Sequence, residues 1–262
     1  MFFIGLTVLL YPTIADYINS KTQSRAIADY EAAIRSLDPE DYSAYFEAAE
    51  EYNRRIAAVS FPFMNYDRVE GYESILNVGG NGIIGYIDID KIRVELPIYH
   101  GTDDAVLARA AGHLKGSSLP IGGVGTHSVI SAHRGLPSAK LFTNIDKVDV
   151  GDTFRITVLN RVLTYEVDQI LIVLPEDVDE LYCVEGEDYC TLVTCTPYGI
   201  NTHRLLVRGK RIETVTPKPV LFVISDGYII DPIIVTPAVA APMLFVLFVV
   251  LMIRYRKKKK TK

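Results

Sequence analysis

The sequence predicts a mostly β domain, a barrel or a sandwich, preceded by a helical region and followed by a membrane-spanning helix. Three observations carry this. Short alternating or apolar runs recur from residue 83 to residue 209 with turn residues between them. Before them lies a breaker-poor stretch rich in Ala, Glu, Tyr and Arg. After them, Ile233 to Ile253 is 21 residues without a charge.

Residues 1–20 form a hydrophobic segment, apolar and uncharged from Met1 to Ile14. It lacks the basic start of a signal peptide and is short for a full span, so it reads as the remnant of a signal or anchor. Residues 21–80 form a helical region with two expected helices, Lys21 to Leu37 and Pro39 to Val59. Asp38-Pro39 supplies an N-cap and a first helical residue for the second.

The expected strands run over Ile83–Ile89, Ile92–Tyr99, Val129–Ala132, Phe154–Val158, Leu163–Val167, Gln169–Val173, Cys190–Thr194 and Leu205–Gly209. A short helix is expected near Asp104 to Leu114, and a tight turn at Asn160-Arg161. Gly80-Asn-Gly82-Ile-Ile-Gly85 fits G-x-G-x-x-G literally. A strand follows it where a dinucleotide fingerprint needs a helix, so it reads as a turn into the first strand. The catalytic domain is thus expected over 81–213, with a linker over 214–232.

As a helix, 233–253 would be about 31 Å long, enough to cross a bilayer core. The tail 254–262 carries seven of the 27 Lys and Arg residues and no acid. The positive-inside rule places it in the cytoplasm and the body outside. The 20 basic residues left face 32 acidic ones, net −12, which argues against a nucleic-acid partner.

Three cysteines, Cys183, Cys190 and Cys195, show neither a CxxC pair nor zinc-type spacing, and an odd count leaves at least one thiol unpaired. Cys195 ends the apolar run Thr191-Leu-Val-Thr-Cys195 just before Pro197 and Gly199, so it sits at a strand end where substrate can reach it. Arg204 opens the next run after an eight-residue loop, Thr196 to His203. Antiparallel pairing of the two would bring its guanidinium to Cys195, where it could stabilise an oxyanion or hold a carbonyl. A histidine could take the thiol proton and later protonate a leaving amine. His133 stands at the end of an apolar run before Gly135 and Pro137, but pattern alone does not separate it from His127.

Thr191-Leu-Val-Thr-Cys195 resembles the T-L-x-T-C signature of sortases. Residues 133–143, 194–209 and 85–101 are similar to the pilin-polymerising class of that family, class C, of the Gram-positive type. The likeness covers roughly residues 70 to 213. It implies a closed eight-stranded sortase-type β-barrel, with His133, Cys195 and Arg204 at the catalytic positions. It implies a cysteine transpeptidase that cleaves an LPxTG-like sorting signal at Thr–Gly, forms a thioester on Cys195 and passes the acyl group to a lysine amine of a pilin subunit. The expected partners are pilin subunits or other LPxTG-like surface proteins and the membrane, with a monomeric catalytic domain. No cofactor and no metal are expected; no D-x-D-x-D-G calcium loop is present. A sortase that anchors surface proteins to the cell wall, an extracellular cysteine protease and a non-catalytic membrane-bound binding module are the competing readings.

Class C enzymes keep an N-terminal lid with an Asp-Pro-aromatic motif. Here the matching stretch is Phe61-Pro62-Phe63, with Phe61 at the acid position. The segment from about Ser60 to Asp67 is expected to cross the mouth of the site, with Phe61 or Phe63 over Cys195. A Cys183–Cys190 disulfide is also expected, with six residues between the two in an extracellular domain, leaving Cys195 free.

Overall fold

The computed structural model describes residues 2–38 and 41–214. The expected linker beyond residue 214, the membrane helix 233–253 and the tail 254–262 lie outside the described residues. Among the described residues no helix is long and apolar enough to cross a membrane.

The helical region is a pair, α1 (Phe2–Arg35) and α2 (Asp41–Ala57). The expected boundary at residue 20 is absent, because nothing between Ala15 and Arg35 breaks a helix and α1 runs through it with Pro12 inside. Ile27, Tyr30 and Ile34, three and four residues apart, share one face and are buried. In α2 the buried face is Phe46, Ala49, Tyr52 and Ile56. Polar groups on these faces are satisfied by the barrel. The Tyr30 hydroxyl donates to the Ile84 carbonyl and accepts from the Leu159 N–H, each at 3.0 Å. The Asn53 amide accepts from the Leu119 N–H at 2.7 Å and donates to the Leu119 carbonyl at 3.2 Å.

The strands are β1 (Ile83–Ile89), β2 (Val94–His100), β3 (Ala111–His113), β4 (Thr126–Ser131), β5 (Thr153–Val158), β6 (Arg161–Val173), β7 (Asp188–Thr196) and β8 (His203–Ile212). They close into a barrel in the order β1-β2-β3-β4-β7-β8-β6-β5. The β2/β3 and β4/β7 pairs are parallel and the rest antiparallel. Alternation sends Ile130, Phe154, Ile156, Tyr165, Cys190, Leu192, Leu205 and Val207 into one buried cluster.

The strand count agrees with the expectation, but the membership differs. Leu163–Val167 and Gln169–Val173 are halves of one strand, β6. Asp168, which separates them in hydropathy, sits at a register shift and is bonded to Arg208 at 2.8 and 3.0 Å. The eighth strand, β3, occupies part of the segment expected as helix, where the helix α3 is only Asp104–Leu107. Three residues are too few to show a period. The β5–β6 turn is Leu159-Asn160, one residue earlier than expected, with Leu159 at φ +52°. The Gly80–Gly85 motif leads directly into β1, as expected.

Candidate functional site

The site begins with the pairing of β7 and β8. Their register sets Cys195 opposite Arg204, Val193 opposite Leu206 and Thr191 opposite Arg208. Directly opposed residues point to the same face. Cys190 and Leu192 belong to the interior set, so Cys195 and Arg204 face outward. Cys195 is half-buried and Arg204 partly exposed. The Arg204 guanidinium donates only to the nearby carbonyls of Asn201 and His203, at 3.3 and 3.2 Å, and is in no ion pair among the described residues.

On the other side of β7 lies β4, parallel, with Ser131 opposite Val193. The pairing continues past the end of β4. The Ala132 N–H donates to the Val193 carbonyl at 3.2 Å, and the Thr194 hydroxyl donates to the Ala132 carbonyl at 2.8 Å. Extending that register brings His133 alongside Cys195. The cysteine therefore lies between the strand end that leads into His133 and the strand that opens with Arg204.

The remaining histidines are engaged elsewhere. His127 is buried, its Nε2 2.7 Å from the Thr191 hydroxyl and its Nδ1 3.0 Å from the Tyr182 carbonyl. His113 is fully buried against the Tyr72 hydroxyl and the Ser118 carbonyl. Burial lowers both pKa values to about 4, so both are neutral at pH 7. Burial also lowers that of His100, whose Nε2 is 2.9 Å from the Ile75 carbonyl. His203 is opposite Thr196, one residue out of phase with Arg204, and turns from that face. Burial and its two hydrogen bonds set His127 apart from His133, which the sequence pattern alone does not separate from it.

The outer face beside this rung carries a groove of about 380 Å³. Leu114, Val173, Leu181, Val193 and Leu206 give it apolar walls, Ser131 and Arg204 contribute polar groups and Asp103, Lys115 and Asp177 charged ones; of the three candidate catalytic residues only Arg204 lines it. Alternation along the runs ending at Ser131 and Cys195 is the signal that could have found it, because it reserves every second residue for this face.

Phe63 also lines the groove, its ring 5.5 Å from that of Tyr182. Phe61 does not: its side chain is 66% exposed, and its backbone is left-handed at φ +54°. Pro62 and Phe63 lie directly on Gly116. A Cβ there would be 2.7 Å from the Pro62 oxygen and 2.8 Å from the Phe63 Cα.

The expected disulfide is absent: Cys183, Cys190 and Cys195 are all free. Alternation carries Cys190 into the barrel core, where burial pushes its thiol pKa up. Cys183 lies outside the barrel wall, exposed and 3.6 Å from the Ser118 hydroxyl. Sequence separation alone hid the wall between them.

The loop after His133 is tied to a distant part of the chain. The Asp16 carboxylate accepts from the Lys140 N–H at 2.9 Å and pairs with its ammonium at 3.1 Å, and the Asn19 amide donates to the Ser138 carbonyl at 2.7 Å. Hydropathy gave these two residues only the character of a segment's end.

A thiol and a guanidinium on one rung, with an imidazole just past the end of the adjoining strand and a groove of mixed polarity beside them, are the elements of acyl transfer through a thioester. Among the described residues no group of three or more His, Cys, Asp or Glu side chains could hold a metal ion.

A family model described as a sortase domain matches residues 87–212. Sortase D of Bacillus subtilis is 30% identical over 131 residues, which cover 49% of this chain and 63% of that protein, so the chain spans under two thirds of that relative's length. The crystal structure of sortase C1 from Streptococcus agalactiae is 47% identical, covers 73% of this chain and all of its own, and superposes with a TM-score of 0.66. Sortase C-1 from Streptococcus pneumoniae is 43% identical at the same two coverages, with a TM-score of 0.65.

Proposed function

The chain belongs to the sortase family, among its class C members, and we propose that it joins pilin subunits by cysteine transpeptidation. The observation that carries this reading is the Cys195–Arg204 rung, with His133 two residues past the end of the adjoining strand, beside the groove.

An LPxTG-like sorting signal lies in the groove with its Thr–Gly bond at the sulfur. The Cys195 thiolate attacks the threonine carbonyl. Arg204 donates to the oxygen that becomes negative in the tetrahedral intermediate. Protonated His133 gives its proton to the departing glycine amine, and the C–N bond breaks to leave a thioester. A lysine amine of another pilin subunit then attacks the thioester carbonyl, His133 accepts the amine's proton, and the thiolate leaves as the isopeptide bond forms. The scheme needs no cofactor. The segment from Ser60 to Asp67 acts as a lid, with Phe63 occupying the groove until a sorting signal displaces it. The uncharged run 233–253 and its basic tail hold the enzyme in the cell membrane, with the barrel outside and the C-terminus in the cytoplasm.

The test is to incubate the full chain with an LPxTG-type peptide and a lysine-bearing pilin, and to follow the acyl-enzyme by mass spectrometry and the products on denaturing gels. An adduct on Cys195 and covalent pilin ladders are expected. Cys195→Ala should give neither, and Arg204→Ala should lose roughly 10²–10³ in rate. Ladders from Cys195→Ala, or no adduct on the unaltered enzyme, would overturn the reading. Hydrolysis that a lysine acceptor cannot divert would make the protein a protease, and transfer only to cell-wall peptide amines would make it an anchoring enzyme.

A further inference from the structure

We propose that Arg134, anchored by Asp146, is a positioning residue that ties the His133 loop to the strand end bearing Cys195. The proposal rests on the catalytic reading given above. Arg134 follows His133 and Thr196 follows Cys195, so the two pairs alternate in step. While His133 and Cys195 share the outer face, Arg134 and Thr196 meet behind it.

The Arg134 side chain is only 10% exposed. One end nitrogen pairs with the Asp146 carboxylate at 2.8 Å, and the other donates to the Thr196 hydroxyl at 3.4 Å. Its Nε is buried and has no partner among the described residues. Burying a guanidinium with one donor unmet is costly, and an apolar side chain of similar volume would fill the space at lower cost. What the arginine adds is a reach to two loops at once.

That reach falls where other ties stop. The hydrogen bonds between β4 and β7 end at Ala132. From His133 onward the loop bonds to itself, Phe142 N–H to the His133 carbonyl and Gly135 N–H to the Thr143 hydroxyl, and farther along to α1 through Ser138 and Lys140, but, Arg134 apart, not to β7. Against the β7–β8 connection it has a packing contact, Gly135 against the Tyr198 ring. Asp146, its side chain 49% exposed, sits in a one-turn helix, Ile145–Lys147, whose first residue is fully buried and fixes the backbone from which the carboxylate reaches Arg134. Without Arg134 the stretch from His133 onward would lack its hydrogen bond to the end of β7, and a displacement of the imidazole near 1 Å can cost a reaction about 10²-fold.

The experiment uses the full chain in a Cys183→Ser background, so that Cys195 is the one accessible thiol. Arg134→Met, Arg134→Lys and Asp146→Asn are compared by steady-state cleavage of a sorting peptide and by the rate of Cys195 alkylation. Thermal melts establish the folded fraction. Arg134→Met should lower kcat at least tenfold with KM within twofold of the parent. Asp146→Asn should do the same to a smaller degree. Arg134→Lys should recover part of the loss, since an ammonium can keep the carboxylate but not both partners. The alkylation rate should change in the same order, and it reads the thiol–imidazole geometry without substrate. It therefore judges the clamp even if the parent ignores the peptide, a result that would count against the catalytic reading instead. Folded Arg134→Met with the parent's kcat and alkylation rate would overturn the proposal. A loss confined to melting temperature would overturn it too.

Discussion

Replacing Gly116 by alanine tests the lid without replacing any residue that lines the groove. The new methyl would sit 2.7 to 2.9 Å from backbone atoms of Pro62 and Phe63, closer than a Cβ can tolerate, and backbone cannot swing aside as a flexible side chain can. Overpacking of this kind costs about 1–3 kcal/mol. Gly116 also has φ +96°, but that strain is the same whether the lid is open or closed, so only the overlap acts on the lid. With each 1.4 kcal/mol worth a factor of ten, the open fraction should rise by about tenfold or more. Gly125→Ala is the matched control. It has φ +80° and nothing within 4 Å of the added methyl, so it carries the strain without the collision. Alkylation of Cys195 in a Cys183→Ser background is the assay. Gly116→Ala should react about tenfold faster than the parent, and Gly125→Ala at the parent's rate. If folded Gly116→Ala reacts no faster, the segment does not cover the thiol and Phe63 merely fastens the helices to the barrel.

Acid should weaken the fold through its two buried imidazoles. His113 and His127 have pKa values near 4 in the folded chain against 6.5 when free, so the unfolded chain binds more protons between those limits. Their contribution is present above pH 6.5 and lost as pH falls toward 4. The melting temperature should drop on the order of 10 °C from pH 7 to pH 4.5, and less in His127→Gln; equal drops in both proteins would exclude His127 as a source. Gly209→Ala should destabilise by about 1–3 kcal/mol in urea titrations, because its methyl would stand 2.6 Å from the Phe154 ring and 2.8 Å from Tyr165 inside the barrel. Titration of denatured, unreduced protein should find three free thiols, and one would restore the Cys183–Cys190 bond.

Much of the site was legible because its residues are consecutive in register. Cys195 ends one run and Arg204 begins the next, so a short antiparallel connection already implies that they meet. His133 was not separable from His127 by the same reasoning, since both lie at ends of the same apolar run. Their difference is a matter of which rung each occupies and how much water each keeps. The parallel β4/β7 pairing that sets those rungs joins segments about 60 residues apart, and no local signal announces such a pairing. β3 was hidden for a related reason. Its three residues fit only because Gly112 has no side chain where the Gly101 oxygen would be 2.2 Å from a Cβ, a constraint visible only once the barrel closes. Asp168 misled in the opposite direction, a charge in mid-strand reading as a break where the chain merely bulges toward Arg208.

The hold of α1 on the loop after His133 changes where a working fragment of this protein has to start. A cloning boundary chosen from hydropathy falls at residue 21 and keeps every strand of the barrel. It also discards Asp16 and Asn19, and with them both hydrogen bonds and the ion pair that pin Ser138 and Lys140. In such a fragment the loop after His133 would be untethered on one side, and on the function proposed above its turnover should fall below that of the chain it came from. Starting at or before Asp16 retains the tether.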